Sequence, residues 1–343
     1  MEAQNQTHMR DICLQDSLSY CESIIPKVSR SFVIGINMLK GQTKKSILVG
    51  YLLCRIIDTI EDDFHLNPDL KESYLKKFPQ CFENKDQTQF YCEIGAHLTG
   101  DSHHLDLVKN TDKIFQVYFS LSPNTQSVIK HWVSEMAYGM ATFVRKYPHG
   151  IRLTNVVEYK KYCYYVAGTV GYMLTELWHE YAYGINSKIF KILYQNSDKF
   201  GEALQSVNIL KDIYWDAQKE NSIYIPLSVL NKQGVSHKTM FYKEFLAGSD
   251  KAAREILTLA QENLMASLEY IKHIPKRNFR VRFFCIFPLL LAFATLRKLN
   301  TSNNIITPDS IIKVSRKEVK KIIRYSFFSL FSNCYLMKLV KNY

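Results

Sequence analysis

The periodicity of this chain predicts an all-α fold. Apolar residues recur at i, i+3 and i+4 through long stretches, while alternating runs bounded by turn residues are rare. Glycine is sparse, at thirteen in 343 residues, and the nine prolines are scattered. No Ser/Gly/Pro-rich linker or charge block divides the halves, so residues 1–343 are expected to form a single domain. The strongest helical pattern covers roughly 42–62, 124–146, 155–180, 187–218, 250–272 and 277–298. No repeat of solenoid length is present.

Composition narrows the function classes. The longest apolar stretch, Phe283 to Leu296, is too short to span a bilayer and contains Pro288, so it reads as a buried helix. Eight cysteines form no CxxC pair, and MEAQNQTHMRDICLQ has no apolar signal core, which predicts reduced thiols in a cytoplasmic protein. The net charge of +12 is densest at Lys313, Arg316, Lys317, Lys320, Lys321 and Arg324, opposed only by Glu318. A solvated helix face and a ligand or lipid contact explain that cluster equally well. No zinc-finger or RNA-recognition signature accompanies it, and nucleic acid is not an expected partner. The segment SFFSLFSNCYLMKLVKNY (326–343) reads as a final docking helix whose aromatic and Lys content also permits peripheral membrane contact.

Taken along the chain, four clusters carry chemistry. Ser29-Arg30-Ser31-Phe32 follows Pro26 in a predicted loop or short helix; Arg offers a planar fork for phosphate oxygens and the hydroxyls add donors. Next, Asp58 and Asp62 lie at i and i+4, about 40° apart on one helix face. Two carboxylates converging in this way suit Mg²⁺, a hard cation that binds oxygen ligands and shares them with substrate phosphate. Apolar neighbours make an unpaired carboxylate costly here, so Arg55 is either a protein partner or a diphosphate contact.

The third cluster, Tyr162 to Gly171, sets three tyrosines ahead of small residues. Glycines at 168 and 171 inside a helix imply close packing or ligand access, and the tyrosine faces can stabilise a carbocation. Finally, Asp212 and Asp216 repeat the i, i+4 pair, with Asn208 one turn earlier, Gln205 extending the stripe and Lys211 as the neighbouring cation. Two facing clamps would hold a diphosphate between them.

In order and separation, SRSF, DTIEDD, YCYYVAGTVG and NILKDIYWDA…NSIYIP resemble the squalene and phytoene synthase family of head-to-head isoprenoid synthases. The resemblance covers about residues 19–325 and includes SEMAYGMATF (134–143) and FFCIFPLLLAFATL (283–296). It implies the isoprenoid synthase fold, helices around a central apolar cavity. It also implies a first Mg²⁺-diphosphate clamp of Asp58, Glu61 and Asp62 and a second of Asn208, Asp212 and Asp216. By the same resemblance Arg30, Arg55 and Lys211 hold diphosphate oxygens, and Ser29, Ser31 and Tyr51 line that end. Tyr162 matches the family's catalytic tyrosine, with Tyr165 and Gln205 in the pocket.

IIKVSRKEV (311–319) is similar to a basic segment of the family's squalene-forming branch, which makes Lys313, Arg316 and Lys317 candidate contacts to NADPH phosphates. The implied reaction joins two farnesyl diphosphates through presqualene diphosphate and reduces the product with NADPH to squalene, in a cytoplasmic monomer. A non-reductive synthase stopping at presqualene diphosphate, dehydrosqualene or phytoene is the near alternative. A non-catalytic helical scaffold is the alternative from another class. Lys211 stands where many relatives have Arg, keeping charge without the bidentate fork.

Overall fold

The expected helical periodicity is realised along the chain in the computed structural model, which describes residues 2–307 and 312–342, with side chains from residue 12 onward. Among the described residues there is no strand, only an isolated bridge between Arg152 and Ile223. The chain divides into two compact units, Met1–Thr142 and Phe143–Tyr343.

The first unit contains α1 (Glu2–Val28), α2 (Phe32–Met38), α3 (Gly41–Glu61), α4 (Pro68–Lys77), α5 (Asp86–Ile94), α6 (Ser102–Lys109) and α7 (Thr111–Tyr118). The boundary falls within α8 (Pro123–Lys146). Helix α3 is the unit's axis, packed by α1, α4, α6 and α7 and buried on most of its circumference from Ser46 to Glu61. Its half-buried positions, Tyr51, Arg55 and Asp58, recur at helical spacing and form one polar stripe. Edge-on aromatic pairs close the core beside it: Phe78–Tyr91 at 5.0 Å, Phe82–Phe115 at 5.1 Å and Phe82–Tyr118 at 5.1 Å. Each adds about 0.5–1.5 kcal/mol beyond area burial.

The second unit contains α9 (Val156–Cys163), a π-helical turn (Tyr164–Gly168), α10 (Thr169–Tyr181), α11 (Ser187–Tyr194), α12 (Ser197–Lys219), α13 (Leu227–Asn231), α14 (Leu246–His273), α15 (Phe279–Thr301), α16 (Arg316–Ser329) and α17 (Asn333–Lys341). Helix α12 is central, against α14, α15, α10 and the π turn. Helix α15 has the length and apolarity to cross a membrane, yet 83% of that window is buried, as expected for a core helix. Its Arg282 is fully buried and donates to Ile271 O and Ile274 O (both 2.9 Å) and to Asn333 Oδ1 (2.7 Å). The guanidinium thereby adds donors to the carbonyls at the end of α14, where Ile271 O also accepts from Ile274 N.

Two expected helices are broken. The pattern at 155–180 continues but loosens into the π turn, and the pattern at 187–218 stops at Asn196 before resuming. There Asn196 Nδ2 donates to Ile192 O (2.8 Å) and Ser197 Oγ to Leu193 O (2.9 Å), so side chains take the carbonyls that further helix would have used. Helices α1, α4 to α7 and α17 lie outside the strongest periodic stretches; α1, for example, has polar residues interspersed around its circumference.

Candidate active site

The polar stripe of α3 is assembled by contacts along and beside the helix. Arg55 NH1 lies 3.4 Å from Asp58 Oδ2, and its NH2 is 3.4 Å from the Tyr51 hydroxyl, with the guanidinium 5.8 Å from the Tyr51 ring centroid. Tyr51 in turn donates to Val28 O (3.4 Å) and packs its ring against Phe32 (5.8 Å). These contacts bring the Ser29–Ser31 loop and Phe32 to the α3 stripe. Within the loop Ser29 is buried with its Oγ lacking a hydrogen-bond partner, Ser31 is half-buried and Arg30 is exposed.

Asp58 and Asp62 close α3, where Asp62 N donates to Asp58 O (2.8 Å). The helix dipole is negative at this end, so two carboxylates there call for a cation. Burial pushes the Asp58 carboxyl up to about 7; Arg55 opposes that rise and Asp62 adds to it. Burial also works against the Arg55 charge, but Asp58, Tyr51 and Asp62 outweigh it and hold the guanidinium protonated. Asp58 Oδ1 is buried without a hydrogen-bond partner. Glu61 is buried and Asp62 exposed. Asp63, the last acid of DTIEDD, is occupied elsewhere, accepting from His65 N, Leu66 N, Thr99 N and Thr99 Oγ1 at 2.7–3.1 Å.

The second acidic pair differs. Asp212 and Asp216 are half-buried in the last turns of α12, and Lys211 Nζ lies 3.0 Å from Asp212 Oδ2. The apolar neighbours in sequence do not enclose them. Leu210 and Ile213 point into the core, whereas Asn208, Tyr214 and Trp215 are exposed. The apolar setting expected at Asp58 is thus not shared by Asp212, because on a helix adjacent residues face different surroundings. Gln205 is half-buried further along the same helix.

Tyr162 is buried. Its ring stands edge-on to Phe143 (5.2 Å), and its hydroxyl donates to Tyr224 Oη at 3.3 Å. Tyr224 is carried by the loop after α12, which is pinned where Ile223 N donates to Ile151 O (2.8 Å) and Asn221 Nδ2 to His149 O (2.6 Å). Tyr165, half-buried in the π turn, meets Phe143 at 6.3 Å. The small residues that follow have a packing role. A Cβ on Gly171 would sit 2.2 Å from Ser197 O, and one on Gly201 2.2 Å from Ala167 O. Backbone therefore touches backbone where the π turn and α10 cross α12. Irregular π turns recur at functional sites, and this one lies between Tyr162 and the α12 stripe in the second unit.

The donor chemistry fits Mg²⁺. Each stripe offers two carboxylates at a helix end with a cationic side chain beside them, and Asp58 Oδ1 has an unused buried acceptor. Among the described residues no three His, Cys, Asp or Glu side chains form a metal site by themselves. Mg²⁺ commonly completes its shell with water and substrate phosphate. Lys313 precedes α16, and Arg316 and Lys317 open it, all three exposed; Ile311 of the same segment lies outside the described residues.

Two neighbours escaped the sequence reading. His104, on α6, lies near Arg55 and Asp62 and is pushed down by burial and by Arg55, with Asp101 and Asp62 opposing. Its helix is set by Asp101, whose side chain caps His103 N and His104 N. In the second unit Glu202 is pushed up to about 7 by burial and by Asp198, and it accepts from Asn263 Nδ2 at 3.3 Å. His104 meets Arg55 and Asp62 through contacts between helices distant in sequence, and no local motif marks it; Asp198 and Glu202 form a further i, i+4 acidic pair on α12 that the sequence reading passed over.

Residues 25–318 match the family described as Squalene/phytoene synthase. The Squalene synthase of Dictyostelium discoideum is 27% identical over 304 residues, covering 89% of this chain and 69% of that protein. Squalene synthase BSS of Botryococcus braunii is 29% identical over 310 residues, covering 89% and 63%. Against some of these relatives the chain thus spans less than two thirds of their length. Among solved structures, TcSQS in complex with a ligand superposes with a TM-score of 0.83 at 23% identity, covering 95% of this chain and 90% of that one. A dehydrosqualene synthase complex superposes at 0.66 and 21% identity, covering 96% and 98%. The fold is that of these synthases, and the chain belongs to the squalene/phytoene synthase family of prenyltransferases.

Proposed function

We propose that this chain is a squalene synthase. It joins two farnesyl diphosphates head to head into presqualene diphosphate and reduces that intermediate with NADPH to squalene, acting as one catalytic domain and as a monomer. The observation that carries the reading is the Arg55–Asp58 pair on the buried face of α3, with Asp62 one turn on. It is supported by curated relatives that are squalene synthases at 26–29% identity. The eight free cysteines support a cytoplasmic setting.

Asp58, Glu61 and Asp62 form one metal-binding set and Asn208, Asp212 and Asp216 the other; Mg²⁺ bound there supplies Lewis-acid stabilisation of the departing diphosphate. Arg55 and Lys211 are already charged beside these acids and hold diphosphate oxygens, joined by Arg30, Ser29, Ser31 and Tyr51. Ionisation leaves an allylic cation. Tyr162, oriented by its hydrogen bond to Tyr224, stabilises it with its ring and takes part in the proton loss that closes the cyclopropane. Tyr165 and Gln205 line the same pocket. Lys313, Arg316 and Lys317 present three cations at the start of α16, a donor set that fits dinucleotide phosphates. NADPH held there would supply hydride-transfer chemistry.

The test is incubation with farnesyl diphosphate and Mg²⁺, with and without NADPH, followed by product mass analysis. Squalene forms only with NADPH, and presqualene diphosphate accumulates without it. A C30 product unchanged by NADPH would make the enzyme a dehydrosqualene synthase, and a C40 product from geranylgeranyl diphosphate a phytoene synthase.

A further inference from the structure

The two aspartates at the end of α3 are not equally fixed by their helix. Asp58 lies one turn inside, where helical geometry sets its direction, whereas Asp62 is the C-cap, with φ −73° and ψ −14°. Past the cap the helix no longer dictates the path of the chain. The direction of Asp62 therefore depends on how its two neighbours are anchored. On one side Lys71 Nζ reaches over from α4 and donates to Glu61 O at 2.6 Å. On the other side Asp63 is buried, and its carboxyl group takes four donors. Its Oδ1 accepts from His65 N (2.9 Å), Leu66 N (3.1 Å) and Thr99 Oγ1 (2.7 Å), and its Oδ2 from Thr99 N (2.7 Å).

Two of those four donors come from one residue 36 positions further on, in the loop between α5 and α6. That loop is itself held: Leu98 is buried, and Asp101 caps α6 through His103 N (2.9 Å) and His104 N (3.4 Å). Helix α6 packs on α3, so the segment 98–101 ties the end of one helix to the start of the other. A buried polar group with a full set of partners fixes local structure, and losing one partner is costly. We infer that the Asp63–Thr99 clasp, with Lys71 on the opposite flank, is the positioning device of the first metal-binding set and holds Asp62 on the same bearing as Asp58. This rests on the reading of Asp58, Glu61 and Asp62 as metal ligands. Asp63 and Thr99 are positioning residues: they act through Asp62, so that little ordering remains to be done when metal and diphosphate arrive.

Mn²⁺ in place of Mg²⁺ tests this, its binding to the full chain with inorganic diphosphate being read from the free-ion electron paramagnetic resonance signal. Thr99→Val removes one of the four bonds and weakens Mn²⁺ binding about fivefold. Asp63→Asn weakens it about tenfold or more, as expected for partners one step removed from a metal. Thr99→Ser keeps the hydroxyl and binds like the wild type. Should Asp63→Asn not fold, Thr99→Val, on an exposed residue, decides alone. Thr99→Val that loses urea stability yet binds Mn²⁺ like the wild type makes the clasp purely structural and overturns the inference, as does equal weakening by Thr99→Ser. Equal Mn²⁺ affinity in the wild type and Asp58→Asn would instead remove the metal-binding reading of α3, and the role of the clasp with it.

Discussion

The two acidic pairs share a spacing and a helix-end position but sit in different solvents. The Asp58 side chain is 19% exposed on a helix buried along most of its length, and its carboxyl is pushed up to about 7 by that burial. The Asp212 side chain is 36% exposed beside solvent-facing Tyr214 and Trp215. Each has a cation at salt-bridge distance, yet Arg55 is tied to Tyr51 and through it to Val28 beside the Ser29 loop, while Lys211 pairs with its sequence neighbour Asp212. Spacing on a helix sets the direction of a carboxylate; burial decides what ionising it costs. A metal and diphosphate would relieve more strain at α3 than at α12.

The largest expected effect tests whether both pairs are needed. Asp58→Asn and Asp212→Asn should each lower kcat by about a thousandfold or more, near 4 kcal/mol, with the helical circular dichroism spectrum retained. Normal turnover in either variant would remove that pair from the catalytic set. Next comes the scaffold that holds α12. Gly201→Ala places a methyl group 2.2 Å from Ala167 O, so a loss of about 2–4 kcal/mol in urea unfolding is expected. An unchanged midpoint would mean the π turn yields freely.

A pH titration separates the pairs further. Asp58 has a pKa of about 7 in the fold against an ordinary 3.8, so folding takes up a proton there. Its contribution to stability is complete below the unfolded value and fades as pH rises through about 7, a loss of up to a few kcal/mol. In chelator Asp58→Asn should therefore melt above the wild type at about pH 8, with the gap narrowing towards about pH 5. A constant gap would show that Arg55 fully compensates the charge. By contrast, Asp212→Asn removes a partly exposed ion pair and should change neutral-pH stability by under about 1 kcal/mol. The smallest expected effect separates the two cations in activity. Lys211→Arg should leave kcat/KM within about threefold, whereas Arg55→Lys should lower it about tenfold or more by losing the fork between Tyr51 and Asp58. Equal responses would erase the distinction.

Much of this was legible in the residues. The helices at 41–61, 123–146, 246–273 and 279–301 follow their apolar stripes; Asp58 lies on the first of them, Asp212 and Asp216 on 197–219 and Tyr162 on 156–163. Local patterns missed what distant contacts decide. Asn196 ends α11 because Leu193 and Ile192 carbonyls are within reach of Ser197 and Asn196 side chains, competition that apolar periodicity does not register. His104 has no motif of its own, and Tyr224, within NSIYIP, was not singled out; they become neighbours of Arg55 and Tyr162 through helix packing and a pinned loop.

By itself the sequence determined the helical class, the shared direction of Asp58 with Asp62 and of Asp212 with Asp216, and the cation beside each pair, since these follow from 3.6-residue geometry within a few turns. Tertiary structure alone decided which aspartate is desolvated and why Gly171 and Gly201 must lack a Cβ. Burial and close approach are properties of surfaces brought together from separate helices, and no local spacing encodes them.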